Sequence, residues 1–175
     1  MKHGFRYLIV IGTVLVSPMA LAHDHSSTAG FVAGVMHPVT GIDHLLALML
    51  VGVFIGRRVS SRWIAVSGIL LAIAAGVAGG FLLGANAWME AAVILSLPLF
   101  ITMQWLNNRC IVNLAVTTMS MIMFAHGWSH GGQLAGTSTV FVVGLLMMSA
   151  AVLIFFSLIG RSVMFRSAAL SHAHR

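Results

Sequence analysis

The stretch WIAVSGILLAIAAGVAGGFLL, residues 63–83, holds no charged residue and no proline. About 20 such residues in a helix rise ~30 Å, the thickness of a bilayer's hydrocarbon core. A second uncharged run of similar length covers 140–159. The rest of the chain has the same character: of 175 residues, 59% are hydrophobic and only 7% charged, where a water-soluble domain carries about 25%. The expected fold is therefore all-α, a polytopic membrane helix bundle whose surroundings are lipid. There is no room for a separate soluble module.

The first 22 residues have the three parts of a secretory signal. Lys2 and Arg6 supply a basic start, residues 7–16 an apolar core, and Ala20-Leu21-Ala22 a cleavage site. Ten apolar residues are too few to span well, so a cleaved signal peptide is expected, with an uncleaved anchor as the alternative. A polar tail, 23–29, then leads into a transmembrane region, 30–160, followed by a tail at 161–175. Five helices are expected in that region, at 30–56, 63–84, 88–106, 111–130 and 138–160.

Arginines set the orientation. If the exported N-terminus lies outside, the connectors at 57–62 and 107–110 and the C-terminus lie inside. Those three places hold Arg57, Arg58, Arg62, Arg109, Arg161, Arg166 and Arg175, every basic residue of the mature chain. This is the positive-inside pattern and predicts a multi-pass inner-membrane protein with a periplasmic N-terminus and a cytoplasmic C-terminus. Trp63 and Trp105 then fall at the inner interface, Trp88 and Trp128 at the outer one, as an aromatic belt. The basic residues form no patch interleaved with exposed aromatics, so nucleic acid is excluded as a partner. The single cysteine, Cys110, rules out an intramolecular disulfide and a cysteine-based zinc site, and is expected to pack as a small apolar residue.

Small residues recur at every fourth position of the second helix: Gly68, Ala72, Gly76, Gly80 and Gly84. Such a stripe lets another helix approach closely. Gly127 and Gly131 share the spacing and predict the same for the fourth helix. A homo-oligomer is compatible with this composition.

Ionisable groups in hydrocarbon are costly, roughly 2.5–3.5 kcal/mol each on insertion scales, and mark function. With the orientation above, all of them lie toward the outer side: His37, Asp43, His44, Glu90, His126 and His130. His126 and His130, one turn apart, share a helix face and can supply two nitrogens to one cation. His37 and His44 share a face but lie ~10.5 Å apart along an unbroken helix. Pro38 and Gly41 weaken the helix between them. Two arrangements remain: a break that folds both toward one site, or two stations along a path. Asp43 is the candidate for neutralising the cation, or for orienting His44. Glu90 completes the site, attracts cations to its mouth, or simply sits well at a helix N-terminus.

Of twelve methionines, Met36, Met49, Met89 and Met123 lie near these clusters; they are read as packing rather than as thioether ligands for Cu(I). Cleavage after Ala22 would leave His23-Asp24-His25 at the new terminus, whose amine, amides and third-position imidazole suit Ni2+ or Cu2+. His23 and His25 are thus expected to capture metal. The C-terminal segment Ser171-His172-Ala173-His174-Arg175 is read as a tail.

With those residues in hand, the chain resembles the HupE/UreJ family of nickel (and cobalt) permeases. The family's His-x5-Asp-His motif is matched by His37 and Asp43-His44, within HPVTGIDHLLALM. A later motif similar to His-Gly-x-Ala-His-Gly-x-Glu reads here His126-Gly127-Trp128-Ser129-His130-Gly131-Gly132-Gln133. A glutamate six residues before a serine is matched by Glu90 and Ser96. The resemblance spans most of 1–160; its departure is Gln133 where the family has glutamate, one carboxylate fewer at the outer end of that helix.

The leading expectation is a secondary permease carrying Ni2+, or Co2+ or another divalent metal, inward through an outward-facing His/Asp site, with the metal as cargo rather than cofactor. No phosphate-binding loop is present, so ATP hydrolysis in this chain is not expected. Three rivals are an intramembrane zinc hydrolase using Ser96 or Ser129, a b-type haem protein with His44 facing His126, and a metal sensor or assembly factor for a metalloenzyme.

Overall fold

A computed structural model describes residues 30–106, 108–133 and 139–173, with side chains given except at Gln133 and 165–173. The signal peptide, the tail bearing His23 and His25, and His174 lie outside the described residues. Among the described residues six helices follow in order: α1 (Phe31–Thr40), α2 (Ile42–Arg58), α3 (Arg62–Leu83), α4 (Ala87–Met103), α5 (Arg109–Gln133) and α6 (Thr139–Ala173).

Three of the six, α3, α5 and α6, are long and apolar enough to cross a membrane, and α1 with α2 makes a fourth if that bent pair is one span. The first expected helix is thus two, meeting at 74°. α4 has only 17 residues. Tight i→i+3 bonds from Gln104, Trp105 and Leu106 carry the chain onward, so α4 with this turn reaches roughly 31 Å. The last expected helix is also longer than its sequence pattern: α6 runs on to Ala173 through the segment read as a tail.

Glycine builds the two main packing seams. On α3, a Cβ at Gly76 would overlap the Phe124 carbonyl of α5, and one at Gly80 the Trp128 carbonyl. Reciprocally, Gly127 and Gly131 of α5 lie against the carbonyls of Ile73 and Val77. Partners advance together along both chains, so α3 and α5 run parallel, as two helices that both leave the arginine-bearing side must. α6 packs along α1 and α2 in the same manner: Gly34 meets the Phe141 carbonyl, and Gly56 the Ser157 carbonyl. Without a hydrophobic force between helices in lipid, such close backbone contact is what holds them together. Of the predicted stripe, a Cβ added at Gly68 or Gly84 would meet nothing within 4 Å. Gly84 serves another purpose, ending α3 at φ 82°, ψ −175°, a conformation that is essentially glycine's alone. Asn86 then caps α4, its Oδ1 accepting the Trp88 amide at 2.9 Å.

Exposed apolar side chains cover the outside: Ile64, Leu71, Phe81, Leu82 and Leu83 all stand more than half exposed. In water such a surface would aggregate; facing acyl chains it is ordinary. Trp63, Trp88 and Trp105 are exposed at helix ends, as a belt requires. Trp128 is half-buried: its Nε1–H donates to the Gly84 carbonyl at 2.9 Å and its ring lies over Gly79. Cys110 departs from expectation, being exposed in the first turn of α5 rather than packed.

Candidate metal centre

The break between α1 and α2 forms the centre. Pro38 lacks an amide hydrogen, and a residue before proline, here His37, disfavours helical backbone. Thr40 returns its hydroxyl to the Met36 carbonyl at 3.1 Å, satisfying an acceptor at the end of α1. Gly41 then turns extended, at ψ 100°, and the chain restarts as α2 with Asp43 in its first turn, where a carboxylate suits the positive end of the helix dipole. A Cβ on Gly41 would sit 3.1 Å from His44 Nδ1 and 3.4 Å from Asp43 Oδ1, so the absence of a side chain lets the motif fold onto itself. As a result the His37 and His44 rings are 5.4 Å apart between centroids. Of the two arrangements open to the sequence, the chain adopts the break that brings both to one place.

α5 supplies the third ring. His130 lies 4.6 Å from His37 and 4.6 Å from His44, centroid to centroid, and its Nε2 is 2.6 Å from His44 Nε2. One ligand atom from each of His37, His44 and His130 falls within a 4.8 Å set. Imidazole nitrogens at ~2.0–2.1 Å from one ion stand roughly 3.3 Å apart in tetrahedral geometry, so His44 and His130 need part by less than ~1 Å to hold a cation between them. All three side chains are half-buried. A neutral nitrogen set of this kind suits nickel, cobalt, zinc or copper rather than magnesium or calcium.

Asp43 is not part of that set. Its Oδ1 lies 2.9 Å from His44 Nδ1, on the side of the ring away from His130. A carboxylate there favours the proton on Nδ1 and leaves Nε2 as the atom that would face a metal, with the negative charge one ring away. Glu90 stands apart, exposed in the first turn of α4 and outside the cluster.

A scan of the chain against family models matches the HupE / UreJ protein family over residues 11–174. The chain belongs to the HupE/UreJ family. It is similar to the Protein HupE of Rhizobium leguminosarum bv. viciae, with 27% identity over 142 residues, 78% of this chain and 73% of the relative. No solved structure matches.

In this HupE/UreJ chain the other histidine of α5, His126, neighbours the triad without joining it. His126 is 2% exposed; its ring meets His44 edge-on at 5.1 Å, and its Nε2 lies 3.1 Å from Ser96 Oγ on α4. Between His126, His44 and His130 lies a cavity of about 20 Å³, lined also by Pro38, Met123 and Ser149. A space of that size holds a single water molecule. Met123, named from the sequence as neighbouring packing, does line it, nearly fully buried. Ser149 and Phe141 were not foreseen. Ser149 is 3% exposed in α6, and its signal was available: a hydroxyl in the middle of the uncharged run 140–159. Phe141 packs edge-on against His37 at 5.7 Å and has no signal, because an aromatic residue in a membrane span is unremarkable. The side chain of Gln133 lies outside the described residues.

Proposed function

We propose that the protein is a secondary permease that takes Ni2+, or a chemically similar divalent ion such as Co2+, from the periplasm through the inner membrane to the cytoplasm. The observation that carries it is the meeting of His37, His44 and His130, from three helices, in one half-buried set of ligand atoms. Membership of the HupE/UreJ family and the apolar helices support the same reading. The arginines at the α2 end, the α3 and α5 starts and position 161 support a cytoplasmic C-terminus and a triad near the outer face. His37, His44 and His130 replace the ion's water, Asp43 offsets part of its charge through His44, and the membrane potential draws it inward. For a divalent cation that potential is worth ~4.6 kcal/mol per 100 mV. Glu90, exposed near the outer end, raises the local cation concentration.

Hydrogen-bond direction speaks against hydrolysis at Ser96. Its hydroxyl donates to the Val93 carbonyl at 2.6 Å, so its proton is not offered to His126 as a base, which nucleophilic activation needs. A b-type haem needs iron between two axial imidazoles, and His44 and His126 are too close, at 5.1 Å, to clamp a porphyrin from both faces.

The test is accumulation of radioactive nickel in cells lacking other importers. Cells expressing the chain gain nickel, and excess Co2+ competes more strongly than Mg2+. No gain over empty cells would contradict the assignment.

A further inference from the structure

Ser96 and His126 form a buried polar pair that the triad does not use. Ser96 spends its one proton on the Val93 carbonyl. A hydroxyl has a single donor and two lone pairs, so toward His126 it can only accept. The 3.1 Å contact is therefore His126 Nε2–H donating to Ser96 Oγ. In a neutral imidazole the other nitrogen is then a bare lone pair. That atom, His126 Nδ1, is buried with no hydrogen-bond partner among the described residues, on a ring lining the cavity with His44, Met123 and Ser149. Burying an acceptor without a donor is unfavourable. A cation in the cavity satisfies it.

We infer that Ser96 is a positioning residue that holds His126 as the Nε2–H tautomer, so that Nδ1 is a ligand atom for a divalent cation that has left the triad. This rests on the permease reading and deepens it. His37, His44 and His130 make the first station, and His126 a second, with the His44 ring adjoining both. Ser96 never meets the ion. It acts by fixing which nitrogen of His126 carries the proton and how the ring is turned, as the hydrogen-bonded partners of metal-binding histidines generally do.

The experiment is solid-state NMR of the full chain in lipid nanodiscs with 15N-labelled histidine, using Co2+ as paramagnetic probe and His126→Asn to assign the signal. In the wild type, Nε2 of His126 is protonated and Nδ1 is not, and Co2+ broadens the Nδ1 resonance. Ser96→Ala leaves a mixture of tautomers and raises the Co2+ concentration needed for that broadening about 10- to 100-fold, while Ser96→Thr, which keeps the hydroxyl, restores the single tautomer. A wild-type His126 protonated at Nδ1, or an unchanged tautomer in Ser96→Ala, overturns the inference. So does broadening of the His44 and His130 signals with none at His126; the triad then stands without a second station. If Co2+ broadens no histidine at all, the permease reading itself falls.

Discussion

Nickel accumulation falls to the background of empty cells when His44 is replaced by alanine. This ring is the hub of the site: it adjoins His37 at 5.4 Å and His126 at 5.1 Å, meets His130 nitrogen to nitrogen, and carries the contact with Asp43. Its loss removes a ligand and cuts the carboxylate off from the ion in one step. The remaining imidazoles, His37 and His130, cannot complete coordination from α1 and α5 alone. Asp43→Ala leaves all three rings in place but frees the orientation of His44, and costs roughly 10- to 100-fold in uptake. Both variants are measured by initial rates of radioactive nickel entry at equal amounts of membrane-inserted protein. Wild-type rates in His44→Ala would contradict the site.

The second large effect is structural. Gly127→Val prevents α3 and α5 from closing, because even a methyl at that position overlaps the Ile73 carbonyl and sits 3.0 Å from the Val77 amide nitrogen. Backbone atoms offer no rotamer by which to yield, so the helices must separate over the whole seam from Gly76 to Gly131. Overpacking costs typically 1–3 kcal/mol, and backbone against backbone lies at the upper end. His126 and His130 travel with α5, so the same change disperses the triad. Gly68→Ala, in the same stripe, meets nothing within 4 Å and should gain ~0.5–1 kcal/mol from helix propensity. Thermal unfolding in detergent distinguishes them: a large loss of folded protein for the first and none for the second. Equal stability of the two would mean that the seam does not hold the bundle.

What was legible in the sequence follows from chemistry that does not depend on context. Uncharged runs give the spans of α3, α5 and α6, and the His-x5-Asp-His spacing gives the family. The spacing of Gly76 and Gly80, and that of Gly127 and Gly131, marked each helix as closely packed, but that the two pack on each other is seen only in the structure. The break at Gly41 was only half visible. Pro38 and Gly41 permit either a kink or a continuous helix, and the choice falls to tertiary packing, with α1 pressed against α6 through Gly34 and Phe141. Asp43 at hydrogen-bonding distance from its neighbour His44, rather than in the ligand set, depends on ring orientation, which no spacing encodes. Trp128 reads as a belt residue by position, and which acceptor its indole N–H finds, the Gly84 carbonyl at the end of α3, is set by tertiary packing. α6 outruns its apolar stretch because helix, once formed, propagates into polar sequence at little cost.

X-ray absorption at the nickel edge of the loaded protein in nanodiscs tests the central claim most directly. Three imidazole nitrogens at about 2.0–2.1 Å, reduced by one in each of His37→Ala, His44→Ala and His130→Ala, are the expected result. A spectrum without imidazole scattering, or one that none of these three substitutions alters, would contradict a shared site for His37, His44 and His130.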